Sequence, residues 1–369
     1  MDGADFIIVG GGIAGLSAAA RLAAHGRVIV LEGEEALGYH SSGRSVSFSH
    51  YGIGNAAVRA LTRHSRPFFE AQPEGFCDTP VASLAPSLHF AEEGALPLLD
   101  SLEANMAALV DTLEPLDEAA LTRLCPVIRT GPGAAVRGFL DPTGLKLDAD
   151  ALLQSFARAV RAQGGEIRLG HRVTAIERNG EAWIVDGAVS APVLVNAAGA
   201  WCDRVAALAG VSPLGLQPKR RTIIAIDPGM DMAGWPFVHS AAGDFYILPE
   251  AGRLLVSPVD EVEDDPCDAQ PDDYDIAWAA DRLEHYTTLK VTRIAHRWAG
   301  LRTFTPDRTP TAGFAPDAPG FFWLCGQGGY GLQTAPAMAE AVESLLTGSA
   351  WRMPDLSPAQ IAPARLLAG

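Results

Sequence analysis

Three glycines set directly behind an apolar run constrain this chain more than any other feature. The opening Asp5-Phe-Ile-Ile-Val-Gly-Gly-Gly-Ile-Ala-Gly15 places Gly10, Gly12 and Gly15 at G-x-G-x-x-G spacing after the expected buried strand Phe6 to Val9. The first glycine permits a tight turn, the second lets the backbone approach a pyrophosphate, and the third lets helix pack on strand. A helix expected from Ile13 to His25 and closed by Gly26 then offers free N–H groups and a positive dipole end to phosphates. A second parallel strand, Val28 to Glu32, ends on an acid where a carboxylate takes the ribose hydroxyls. Together these elements predict a dinucleotide-binding fold.

At 369 residues the chain exceeds one ordinary core, so two domains are expected. A net charge of −16 argues against a nucleic-acid partner, whose phosphates need a basic face. Cysteines 77, 125, 202, 267 and 325 are odd in number and lack metal spacing, which predicts free thiols in a reducing compartment and no metal centre. The first strand starts too early for a signal peptide, and no apolar run reaches membrane-spanning length. The expectation is a cytoplasmic protein, free or peripheral to the inner face of the membrane, acting as a monomer or weak homo-oligomer.

Along the chain, Gly38 to Gly52 is Gly/Ser-rich and predicts a loop or helix start against a ligand. Helices are expected over Ala56 to Ala71, Leu96 to Leu109 and, capped by Asp148, over Asp148 to Gln163. Arg172 to Glu177 and Ala182 to Asp186 flank the hairpin signal Asn179-Gly180. Val193 to Gly199 reads as another buried strand of the nucleotide sheet, with a helix from Trp201 to Ala209, so that domain is discontinuous. Gln217 to Asp227 predicts a strand, and Phe245 to Pro249 with Arg253 to Pro258 an antiparallel pair. The acidic run Asp260 to Asp275 is expected to be a solvated loop. Phe321 to Cys325 followed by Gly326-Gln-Gly-Gly-Tyr-Gly331 repeats the strand, glycine turn and helix of the N-terminus. Histidines 25, 64, 171, 285 and 296 lack ligand spacing.

The N-terminal fingerprint, Val193 to Gly199, Trp298 to Gly313 and Gly326 to Thr334 together resemble the D-amino-acid oxidase superfamily of FAD enzymes over essentially the whole chain. Tyr39-His-Ser-Ser-Gly-Arg44, Asn196 to Asp203, Leu216 to Arg221 and Gln327 to Gly331 are most similar to the D-arginine dehydrogenase type of D-amino-acid dehydrogenase. The resemblance implies an α/β Rossmann-like FAD domain of the glutathione-reductase type over 1–80, 141–215 and 300–369. A mixed or antiparallel-sheet, α+β substrate domain would cover 81–140 and 216–299. It implies non-covalent FAD, since Ala299-Gly-Leu-Arg-Thr-Phe holds no cysteine for a flavin tether. The implied cofactor residues are Gly10, Gly12, Ile13, Ala14, Gly15, Glu32, Ser41, Ser42, Arg44, Ser45 and Val173. To these it adds Ala198, Gly199, Trp201, Gly300, Gly328, Gly329, Tyr330, Gly331, Leu332 and Gln333.

Two arginines of that family hold the substrate carboxylate, and the matching positions are Arg221 and Arg302; Arg220 faces the opposite side and could exchange roles with Arg221. Tyr246 matches a carboxylate-binding tyrosine and Tyr51 a lid tyrosine, each with a core aromatic as the alternative. Gly329 and Gln333 match positions beside the substrate amine and the flavin. The chain departs from the D-arginine type twice. Ser87, in Ser83-Leu-Ala-Pro-Ser-Leu-His-Phe90, stands where an acid would pair with a cationic side chain, and the stretch before Tyr51, His50 included, is two residues shorter. Loss of a buried counter-charge predicts neutral or apolar D-amino acids over D-Arg and D-Lys. The implied reaction is hydride transfer from Cα to flavin N5, then hydrolysis of the imino acid to a 2-oxo acid and ammonia. The electron acceptor (quinone, carrier or oxygen) is unknown. The alternatives are an oxidase of glycine, sarcosine or related secondary amines, a 2-hydroxy-acid dehydrogenase of the same superfamily, a flavin-bearing binding protein without turnover, and an NAD-dependent dehydrogenase.

Overall fold

The strand Phe6–Val9 carries no polar side chain because it is covered on both faces and paired on both edges. In the computed structural model, which describes residues 1–367, it lies near the centre of a six-stranded sheet in the order 166–168, 28–31, 6–9, 193–196, 321–325, 311–314. The first five strands are parallel and Thr311–Phe314 is antiparallel at the edge. Helices Ile13–Leu22, Ala149–Ala162 and Gly331–Thr347 cover one face through Leu22, Val160, Met338 and Val342. A four-stranded sheet built from 2–3, 189–191, 182–185 and 176–179 covers the other through Trp183 and Val185. The closing residues 368 and 369 of the expected segment 300–369 lie outside the described residues.

A nine-stranded mixed sheet forms the second layer, with Gln217–Ile226 and Ile294–Phe304 as its longest pair. Ile294–Phe304 runs through the expected boundary at residue 300 and ends at the glycine turn, where the Gly328 N–H donates to the Thr303 carbonyl at 2.8 Å. That continuity fixes a residue on the second sheet relative to the turn of the first. A short sheet of 48–49, 145–147 and 82–84 joins the two layers. Among the described residues no helix is long and apolar enough to cross a membrane, and no group of three or more His, Cys, Asp or Glu is placed to hold a metal.

Several local expectations change. The first helix ends at Leu22 rather than His25. Gly26 serves a close approach instead of a cap, since a Cβ there would lie 2.6 Å from the Asp5 carboxylate. The hairpin is confined to Ile176–Asn179 and Ala182–Val185. Ahead of it, the Asp186 carboxylate takes the N–H groups of Thr174 and Ala175, replacing ladder bonds. Within the acidic run, Asp260 and Asp275 are buried. Asp260 accepts from the Thr222 N–H at 2.8 Å, and Asp275, on helix Asp273–Tyr286, accepts from Arg220. Most of the run is the exposed loop expected, but Asp260 and Asp275 turn inward to support the wall of the second sheet. Histidines 25, 64, 171 and 285 pair with carboxylates, and His296 is exposed on its strand.

Candidate active site

Two uncapped helix ends meet at one cleft. Helix Ile13–Leu22 starts at Gly12 and helix Gly331–Thr347 at Tyr330, neither with a side-chain cap of its own. Ser42 bridges across the cleft to accept the Ile13 N–H at 3.0 Å. The third glycine of the fingerprint is needed for the turn itself: a Cβ on Gly15 would sit 2.0 Å from the Gly10 carbonyl oxygen.

From Gly12 the cleft continues in two directions. One arm, of about 340 Å³, is lined by Gly10, Glu32, Val173, Ala198 and Trp201. The other, about 140 Å³, is lined by Ile13, Ala14, Arg44, Ser45, Gly300, Gly328, Gly331 and Leu332. Ser41, Ser42 and Gly199 line both. An elongated cleft with free N–H groups near its middle and a carboxylate at one end fits an extended dinucleotide. The Gln327 amide lines the second arm with both its nitrogen and oxygen unpartnered among the described residues, which fits a polar ring system such as an isoalloxazine there. Glu32 accepts from the Gly11 N–H at 2.6 Å and the Glu34 N–H at 2.8 Å, which holds its carboxylate at the end of its strand. Arg44 fastens the 38–45 loop, donating to the carbonyls of Tyr39, Ala269 and Ala299 and pairing with Asp268. None of the five cysteines lines either arm.

Gly15 and Tyr330 differ from expectation. Gly15 is buried under the turn, and the Tyr330 ring packs with Val58 and Phe304 while its hydroxyl donates to the Arg308 carbonyl at 3.1 Å. Tyr330 therefore walls the adjoining cavity rather than the cleft.

That cavity, of about 670 Å³, lies beyond Arg302. In the register of the long strand pair, Arg221 faces Gly300 and Lys219 faces Arg302, so Arg221 and Arg302 project from the same face as diagonal neighbours. Gly329 makes room for Arg302, because a Cβ there would lie 2.8 Å from Nη1. The Arg302 guanidinium has no hydrogen bond or ion pair to a protein partner among the described residues. Arg221 is buried and donates through Nε to the Asp260 carbonyl at 2.8 Å; Glu261 stands 3.6 Å from its Nη2. Burial, then the positive charge of Arg302, lowers the Arg221 pKa to about 10, so the Arg221 guanidinium stays charged at neutral pH. The Tyr246 hydroxyl is buried without a partner among the described residues, in a ring that also lines this cavity. Two cations and a free hydroxyl facing one space form a receptor for an anion. Arg220 is excluded from that role by its ion pairs to Asp275 and Asp264 on the opposite face.

Three further expectations are corrected. Tyr51 packs in an apolar cluster with Leu99, Met106, Val110 and Phe139, and burial raises its pKa; it does not line the cavity as a lid would. Ser87 is fully buried behind His89, to which its hydroxyl lies at 3.3 Å, so it does not reach a substrate side chain. Gln333 lines the cavity, but its amide is committed to Thr62 at 2.8 Å and to the His50 main chain, which places it as a tie between helix and loop. His50, His89 and His239 line the cavity instead, and His239 has no spacing signal in the sequence.

Comparison with known proteins agrees with this geometry. The model of the family described as DAO, FAD dependent oxidoreductase, matches residues 5–345. The chain is 30% identical over 383 residues to a glycine oxidase of Pseudomonas putida, covering 97% of each chain. Among solved structures, glycine oxidase from Geobacillus kaustophilus superposes with a TM-score of 0.83 at 20% identity over 97% of this chain and 98% of that one. L-proline dehydrogenase from P. horikoshii gives 0.85 at 18% identity over 99% and 98%.

Proposed function

The chain belongs to the DAO family of FAD-dependent oxidoreductases, and from that premise we propose that it oxidises the C–N bond of a small amino acid of the glycine or sarcosine type. FAD, when bound, supplies the hydride acceptor. The observation that carries the proposal is Arg302 beside buried Arg221 and the Tyr246 hydroxyl, the first and last without a partner among the described residues. Arg302 and Arg221 take the substrate carboxylate, Tyr246 adds an O–H donor, and Gly329, which lines both the cavity and the FAD arm, leaves the amine and its carbon access to the mouth of that arm. Orientation is then the main contribution of the protein, because neither nucleophile nor metal is needed. The glycine oxidase relatives favour this substrate class over the expected D-arginine type.

A second reading, D-amino acids with uncharged side chains, is favoured by the size of the cavity, which far exceeds what glycine fills. The absence of a carboxylate on the His50, His89 and His239 wall works against D-Arg and D-Lys. Anaerobic mixing of the yellow protein with glycine, sarcosine and paired D- and L-amino acids tests both readings. Bleaching by glycine or sarcosine supports the first, and bleaching by uncharged D-enantiomers alone supports the second. Bleaching only by 2-hydroxy acids contradicts both.

A further inference from the structure

The cavity wall holds three imidazoles for which the carboxylate clamp has no use. His89 and His239 are register neighbours on parallel strands Ser87–Ala91 and Phe237–Ser240, with ring centroids 4.9 Å apart and planes 15° from parallel. His50, just past strand Phe48–Ser49, closes the group at 4.9 Å from His239 and 5.7 Å from His89. Their hydrogen-bond capacity is unevenly filled. His50 Nδ1 accepts the Gly52 N–H at 3.2 Å, so the neutral ring carries its proton on Nε2, and that N–H has no acceptor among the described residues. His239 Nε2 is also buried without a partner, and no hydrogen bond among the described residues sets which of its nitrogens carries the proton, whereas His89 Nε2 meets the Ser87 hydroxyl.

The charges around this wall point one way. The cavity is lined by Arg59, Arg221, Arg302 and Arg308 against Glu261 and Asp307. Glu261 is engaged by Arg308, and Asp307 by Arg365 from outside the cavity. Arg59 donates only to the Gly54 carbonyl and the Asn105 amide oxygen, so it and Arg302 lack a carboxylate partner among the described residues. One substrate carboxylate answers Arg302. A positive balance and two imidazole edges remain. An ammonium or guanidinium side chain would meet the His50 N–H and like charge there, and an alkyl chain would leave the imidazole edges unanswered. A second carboxylate satisfies both.

Resting on the clamp proposed above, we infer that the substrate of this cavity is an amino acid whose substituent, on Cα or on nitrogen, ends in a carboxylate received by His50 and His239. Glutarate and pentanoate, which have the same chain length but two carboxylates and one, test this as competitive inhibitors of glycine oxidation by the FAD-loaded enzyme. Glutarate is expected to bind about tenfold more tightly, an advantage that shrinks below about threefold in His50→Leu and His239→Leu. D-Glu should exceed D-Met in kcat/KM by a similar factor. Equal inhibition constants in the native enzyme, or a preference for D-Met or D-Arg, overturn the inference without recourse to either variant. If glycine leaves the flavin oxidised and neither acid binds, the clamp itself is wrong and this inference falls with it. If glycine is oxidised and both acids compete equally, only the second carboxylate is wrong.

Discussion

Arg220, Arg221 and Arg302 occupy one strand pair, and their partners separate their tasks. Arg302→Met removes a cation with no protein partner among the described residues. It is expected to lower kcat/KM for a carboxylate-bearing amine by about a hundredfold or more while leaving the thermal midpoint nearly unchanged. Arg220→Met strands the buried Asp275 instead. Stability should fall by about 3 kcal/mol in urea unfolding, with KM changed less than about twofold. An exchange of these two phenotypes would mean the clamp is misassigned. The arginines were legible in the sequence because a guanidinium in an apolar strand demands an anion. The histidine wall was not, because His89 and His239 meet only through strand pairing across a long chain separation and His50 reaches them from the loop after Phe48–Ser49. Ser87 misled because a position in sequence does not say whether a side chain reaches the cavity or lies behind its neighbour.

At the scale of elements, the fingerprint turn and the helix caps make opposite demands. Gly15→Ala forces a methyl to 2.0 Å from the Gly10 carbonyl, so the turn has to open. The purified variant is expected to hold less than about half the native flavin, read as absorbance at the flavin band against protein. Asp148→Ala, by contrast, removes a carboxylate that accepts the Ala151 N–H at 2.9 Å far from the turn. It should cost about 1 kcal/mol of stability and no flavin. Full flavin content in Gly15→Ala would contradict the assigned role of the turn. Strands of the nucleotide sheet were legible as short apolar runs ending in glycine, and helix Ala149–Ala162 from its spacing and cap. Boundaries failed where a side chain replaced a backbone partner, as Asp186 does ahead of the hairpin. Within the acidic run, the inward turn of Asp260 and Asp275 was not legible, because composition does not reveal that each answers a donor of the second sheet.

For the whole molecule, the two layers were legible from alternating motifs, but the order of the nine-stranded sheet was not, since it depends on pairings between distant segments. The buried histidines carry a global consequence. Burial, with Arg302 adding to it, lowers the His50 pKa to about 4, and burial holds His89 and His239 well below the usual value. The unfolded chain takes up these protons near pH 6.5 while the folded chain does not, so stability rises with pH across this window and falls on acidification from about 6.5 toward 4. His50 alone contributes about 3 kcal/mol to that fall. Urea midpoints at pH 7 and pH 5 should differ accordingly, and His50→Phe should reduce the difference without abolishing it, since His89 and His239 remain; equal midpoints in the native protein would refute this.

The carboxylate clamp is tested most directly by one matched pair of amines, sarcosine and dimethylamine, mixed anaerobically with the FAD-loaded protein. They differ only in the carboxylate, and the stopped-flow absorbance of the flavin reports oxidation of either. Sarcosine is predicted to bleach the flavin at least about a hundredfold faster, and Arg302→Met to erase most of that difference. Equal bleaching by both amines, or bleaching by dimethylamine alone, would contradict the account.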